Sequence, residues 1–181
     1  MRKLKLNELG RISVNQFKES PKTPIVVVLD NVRSLHNVGS IFRTSDAFRL
    51  EAVYLCGITS TPPNKEIHKT ALGAEDSVEW HFFNETTDAL EKLRQDGYLL
   101  IGIEQVEGST PLNEFSPDLD TKYAIILGNE VKGVSQKAID HCDLCIEIPQ
   151  FGTKHSFNVS VSGGIVLWDL FLKYKMRWSK W

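Results

Sequence analysis

Cysteine is scarce: the chain has three among 181 residues, an odd number that argues against a disulfide framework and agrees with a reducing compartment. Long apolar runs are missing too. Stretches such as IVVVL and AIIL fall far short of the roughly 20 residues that cross a bilayer, so no membrane span is expected. The opening MRKLKLNELGR lacks the apolar centre and small-residue cleavage site of a secretory signal, and the expected compartment is the cytoplasm. Neither sign of charge dominates. With a formal net charge of -2 nothing draws the whole molecule to a polyanion, and contact with nucleic acid would have to come from local patches. The five histidines show no metal-ligand spacing, so no metal site is expected. Repeats and low-complexity tracts are absent as well.

What remains is an ordinary globular composition, 41% hydrophobic and 24% charged, in a chain long enough for one domain with a sizeable core. We divide it into an N-terminal arm, residues 1–24, and a domain over 25–181. Residues 25–30 form a β-branched run entered through Pro24, as in a buried strand. Behind it Val38, Ile41, Ser45 and Phe48 recur at helical spacing, with Asn37 as the N-cap. Further strands are expected at 52–56, 79–83, 98–103, 123–128 and 144–149. Helices are expected over 88–96, stopped by Gly97, and from about Ser135, while TSTPPNKE reads as a loop. In the long final helix Val161, Ile165, Trp168 and Leu172 mark one face. Gly163 and Gly164 inside it cost about 1 kcal/mol each relative to alanine, which implies close packing there. Strands alternating with helices predict an α/β domain built on a mostly parallel sheet flanked by helices.

Ligands of such sheets bind beyond the carboxyl ends of the strands, and three loops there carry unusual residues: NVRSLHNVGSIFRT, GNEVKG and IPQFGTKHSFNVS. Together they resemble the motifs of the SpoU/TrmH family of S-adenosylmethionine-dependent RNA 2'-O-ribose methyltransferases, of the knotted SPOUT class. The first matches the family's asparagine, glycine and arginine as Asn37, Gly39 and Arg43. The second matches its glycine and glutamate as Gly128 and Glu130, and the third its later motif as Ile148, Pro149, Ser156 and Asn158. The likeness runs from about residue 25 to residue 172 with the family's order and spacing. Phe157 stands where the family usually has leucine, which keeps the pocket apolar.

The resemblance implies a C-terminal trefoil knot with the final helix threaded through a preceding loop, a rare exception to unknotted connectivity. It also implies S-adenosylmethionine bound within the knot, a homodimer, and a SpoU-type methyltransferase domain over 25–181. Arg43 would be catalytic, either as a base or as a cation that binds phosphate and stabilises developing alkoxide, in its own pocket or its partner's. Asn37 and Glu130 would orient Arg43 or the ribose, and Ser156 and Asn158 would order the cofactor loop and target. The implied substrate is RNA, with tRNA first and rRNA close behind. About 24 residues precede the first strand, too few for the separate RNA-binding domain of some relatives.

The residues make chemical sense by themselves. Ile103, Leu127, Gly128, Ile148 and Phe157, with Ser156 beside them, can form an apolar slot edged by backbone donors and acceptors at strand ends, as an adenosyl group needs. Gly128 lets the main chain approach closely, and Gly152, Gly163 and Gly164 would relieve crowding where chains cross. Each residue also has a plainer reading: Asn37 as a helix cap, Arg43 and Glu130 as surface charges, Ser156 and Asn158 as caps of the last helix. Cys142 and Cys145 form a Cys-x-x-Cys pair, but with no second pair and no helix following they read as ordinary thiols. His155 reads as a surface or RNA contact. The tail interleaves Lys173, Lys175, Arg177 and Lys180 with Tyr174, Trp178 and Trp181, fit to hold phosphate and stack bases or to pack on the body. Arg2, Lys3, Lys5 and Arg11 form a weaker cluster of the same kind. The alternatives are a knotted domain that binds RNA without turnover and a Rossmann-type enzyme. The latter is disfavoured because no strand leads into Gly-x-Gly-x-x-Gly.

Overall fold

Seven strands run parallel in one sheet of a computed structural model that describes residues 1–176. In chain order they are β1 (Thr23–Asp30), β2 (Leu50–Cys56), β3 (Glu79–Phe83), β4 (Tyr98–Ile103), β5 (Thr110–Pro111), β6 (Lys122–Leu127) and β7 (Leu144–Glu147). Across the sheet the order is β3-β2-β1-β6-β4-β7-β5. β1 is covered on both sides, with Ile25, Val27 and Leu29 in one core and Val26 and Val28 in the other, which is why its sequence is continuously apolar instead of alternating.

The helices form two outer layers. α1 (Val14–Glu19), α2 (Leu35–Ala47), α3 (Lys65–Ala71), α4 (Ala74–Ser77) and α7 (Val159–Met176) share the larger core, while α5 (Thr86–Gln95) and α6 (Gln136–Ile139) cover the other face. Phe17 of α1 is buried in the larger core, which ties the N-terminal arm to the domain. Gly97, at φ +82°, ends α5 as the sequence predicts. Among the described residues no helix is long and apolar enough to cross a membrane.

Several elements differ from the sequence reading. Ser34, not Asn37, caps α2: its hydroxyl accepts from the Asn37 amide at 3.3 Å, so the helix begins three residues earlier. The loop expected at 59–66 yields at Lys65 to α3, capped by Asn64, and then to α4; both helices are too short for periodicity to reveal. β7 stops at Glu147, and the two-residue β5 pairs with it in a segment where no strand is expected. The face of α7 marked by Val161 and Trp168 is the outer one, these two being 48% and 47% exposed, while Val166, Leu167, Leu170 and Phe171 are buried. A helix apolar on most sides leaves periodicity unable to choose its inner face.

The glycines divide. A Cβ at Gly163 would press on Ile41 and Leu127, whereas Gly164 and Gly152 face open space and relieve no crowding. A Cβ at Gly39 would collide with Thr70 and the Ile67 carbonyl, so this glycine exists for the α2 crossing with α3. Lys173 and Tyr174 take the packed reading: the lysine bonds the Phe115 carbonyl at 2.7 Å and Asp169 at 2.6 Å, and the buried tyrosine hydroxyl bonds the Thr121 carbonyl at 2.5 Å. Arg177, Trp178, Lys180 and Trp181 lie outside the described residues.

Candidate active site

The N-terminus of α2 leaves backbone N–H groups without intrahelical partners, and Glu130 supplies the acceptors. Its carboxylate takes the Arg33 amide at 3.0 Å and the Ser34 amide at 2.8 Å, and a third bond from Asn37 Nδ2 at 3.0 Å. Burial works to raise the pKa of this carboxyl, but the amides of Arg33 and Ser34, its own amide and the Asn37 side chain outweigh burial and hold it below the usual value. The carboxylate is therefore fixed as an anion at the positive end of a helix.

Asn37 is buried and committed at both ends. While Nδ2 donates to Glu130, Oδ1 accepts from Asn158 Nδ2 at 3.2 Å and from the Ser160 hydroxyl at 3.3 Å. Asn158 in turn caps α7, its Oδ1 accepting from the Ser160 amide at 2.9 Å and the Val161 amide at 3.3 Å. Glu130, Asn37 and Asn158 thus join the starts of α2 and α7 to the loop after β6. Sequence reasoning brought these three to one site; it missed Ser160 and the Arg33 and Ser34 amides. The signal for Ser160 was available, since Asn-x-Ser at a helix start is a capping pattern.

The loop after β6 is itself held from two sides. Asn129 Nδ2 donates to the Asn31 carbonyl at 2.8 Å, and Glu104, just beyond β4, accepts from the Val134 amide at 2.9 Å. A Cβ at Gly128 would strike the main chain of Gly133 and Val134. Its closeness therefore serves the tight return of this loop. Beneath the sheet ends, Asp30 is buried and accepts from Thr86 at 2.6 Å and the Ser135 amide at 2.7 Å.

A cavity of about 300 Å³ opens among the loops after β4, β6 and β7, and Ile103, Leu127, Gly128, Ile148, Ser156 and Phe157 all line it. Every residue expected at a cofactor pocket is thus in one wall. Glu104, Glu130, Glu147 and His155 add polar groups to the same lining. Arg43 does not line this cavity. It sits exposed on α2, six residues beyond Asn37 and therefore about 9 Å along the helix axis, and borders two other hollows. Cys142 and Cys145 take no part: both sulfurs lie against Gly102, and burial, then the Cys145 neighbour, pushes the Cys142 thiol up to about 12.

Residues 24–168 match the profile of the SpoU rRNA Methylase family. The chain belongs to this family. It is 34% identical over 144 residues to the 23S rRNA (guanosine-2'-O-)-methyltransferase RlmB of Neisseria meningitidis, an alignment covering 80% of this chain and 56% of that protein. The chain spans between half and two thirds of the length of such relatives. Its fold matches the A. aeolicus TrmH/SpoU tRNA modifying enzyme with a TM-score of 0.80 at 24% identity, covering 91% of this chain and 82% of that one. An AdoMet-bound rRNA methyltransferase from Sinorhizobium meliloti matches with a TM-score of 0.75 at 25% identity, covering 85% and 59%. For a SpoU family chain, the cavity, the asparagine pair and Glu130 are the motif residues gathered at one end of the sheet.

Proposed function

We propose that this SpoU family chain transfers a methyl group from S-adenosylmethionine to a ribose 2'-hydroxyl of RNA. The observation that carries the reading is the cavity lined by three strand-end loops, with Glu130 in its wall and Asn37 and Asn158 locked to it. Its residues fit the cofactor. Ile103, Leu127, Ile148 and Phe157 offer apolar walls to an adenosyl group, the acidic Glu104, Glu130 and Glu147 in the lining suit a cationic ligand, and about 300 Å³ lies at the small end of ligand sites. When bound, S-adenosylmethionine supplies an activated methyl group on a sulfonium.

The rest is work for the chain's own residues. Glu130 and Asn158 hold Asn37 in one orientation, so these three act as a positioning frame for the ribose. The role that suits Arg43 is a cation's: binding the adjacent phosphate through its planar fork of donors and stabilising charge that develops on the 2'-oxygen. Ser156 and Phe157 close the cavity from the loop before α7.

The reading includes a homodimer. Val161, Ile165 and Trp168 of α7 form an apolar hollow with Leu112 and Pro149. Trp168 lies tilted against Phe48 with ring centroids 5.7 Å apart, and Phe48 borders the same hollow as Arg43. A second copy seated there would meet Arg43, and this arginine then completes the partner's cavity. The trefoil knot belongs to the proposal as well, supported by the bonds from Lys173 and Tyr174 to the 112–121 segment and by β7 lying between β4 and β5.

Ribosomal RNA is the first substrate to test, because a 34% identical relative bears a 23S rRNA name; tRNA, favoured from the sequence, is tested beside it. The experiment is transfer of labelled methyl from S-adenosylmethionine to each RNA, comparing the wild type with Arg43→Ala. Label recovered as a 2'-O-methylnucleotide, with a loss of at least about a hundredfold in the variant, is the expected result. Absence of cofactor binding by calorimetry overturns the assignment, and cofactor binding without label on either RNA favours a domain that binds without turnover.

A further inference from the structure

A second cavity, of about 420 Å³, lies between the N-terminal residues 10–14, the exposed side of α2 and the junction of α3 with α4. Nothing in the cofactor site requires it. Three arginines line it, Arg11, Arg43 and Arg49, against a single carboxylate, Asp46. Asp46 is itself engaged, accepting from the Ser77 hydroxyl at 2.6 Å. Among the described residues the arginine side chains that form hydrogen bonds or ion pairs are those of Arg2 and Arg94. The three in this trench are exposed and unpaired. Lys22 stands close enough to Arg49 that, after burial, this cation is the next cause of its lowered pKa, with Glu51 acting in the opposite direction. In a chain of net charge -2, three arginines against one lining carboxylate are a local excess of cations.

Guanidinium groups present a planar fork of donors that matches phosphate oxygens and are the side chain of choice for nucleic-acid backbones. Arg43 is shared between this trench and the neighbouring hollow on α2, so a strand that engages Arg43 at the reacting ribose has its continuation within reach of the other two. Between the arginines the lining mixes Ser13 and Ser77 with the apolar Ile12, Val14, Ala47 and Leu72, surfaces that tolerate sugar and base edges.

Resting on the RNA reading above, we infer that this trench holds the phosphodiester backbone of the substrate RNA next to the nucleotide being methylated, with Arg11 and Arg49 as phosphate-binding residues beside Arg43. The test uses the full chain and two probes, 23S rRNA and bulk tRNA, with equilibrium binding followed across a salt series. Each phosphate contact contributes about 0.7 to the slope of log K against log salt on single strands. The double variant Arg11→Gln/Arg49→Gln is expected to bind the preferred probe about tenfold or more weakly at low salt, with a slope shallower by about 1.4. Its affinity for S-adenosylmethionine should match the wild type. Asp46→Asn, which keeps the oxygen that Ser77 bonds, should tighten RNA binding about two- to fivefold, a gain that misfolding does not produce. If the wild type binds and both variants keep its slope and affinity, the trench is not an RNA site although the methyltransferase reading stands. If the wild type binds neither probe, the RNA reading fails and the trench fails with it.

Discussion

Glu130 shows how a residue in a surface turn becomes structural. Three donors converge on its carboxylate, two of them backbone amides at the start of α2, so removing the charge affects a helix terminus and an asparagine at once. Glu130→Gln should lower stability by about 1–3 kcal/mol in urea unfolding at neutral pH. The sign with pH follows from the depressed pKa. Because the folded value lies below the ordinary 4.5, the contribution of Glu130 is complete above that pH and is lost as pH falls through the folded value. The wild type and Glu130→Gln should therefore differ most near neutrality and converge in acid. A gap that stays constant down to low pH would mean the carboxylate is not the source of the effect.

At the scale of elements, the site depends on how α2 sits between its neighbours. Gly39 lets it lie against α3, with Thr70 and the Ile67 carbonyl where a side chain would begin. Gly39→Ala gains about 1 kcal/mol of helix propensity, yet the overlap involves main chain that cannot swing aside. The net expectation is a loss of about 1–3 kcal/mol, seen as a Tm lower by roughly 2–10 °C, together with weaker cofactor binding as Asn37 shifts from Glu130. An unchanged Tm would show that α3 can retreat without cost. α7 illustrates the opposite case: its inner face is set by what it meets, Ile41 of α2 and Leu127 of β6 at Gly163, and its outer face is left apolar.

For the whole molecule the question is whether one subunit holds a complete site. Arg43 is absent from the lining of the cavity that holds Gly128, Glu130, Ile148 and Ser156, and among the described residues it has no bond to Asn37 and Asn158, the pair joined to Glu130. The apolar outer face of α7 is where the proposed second copy would sit. Mixing Arg43→Ala with Asn158→Ala, each inactive alone, distinguishes the arrangements. If Arg43 acts across the interface, half of a random mixture is mixed dimers with one intact site of two, and about a quarter of wild-type activity returns. If Arg43 serves its own cavity, mixing restores nothing.

The strands at 25–30, 52–56, 98–103 and 123–128 were legible because a parallel sheet covered on both faces demands unbroken apolar runs, and the site loops because ligands sit where such strands end. Asn37, Glu130 and Asn158 could be nominated from their motifs. Their bonds could not, since they join residues 93 and 121 positions apart and replace the local capping role that the neighbourhood of Asn37 suggests. The separation of Arg43 from the cavity, the outward face of α7, and the gathering of Arg11, Arg43 and Arg49 around one trench have the same origin. Each depends on which surfaces meet when α2 and α7 pack on the sheet. Periodicity records that a face is apolar or charged, while its neighbour is chosen by the packing of elements distant in the chain.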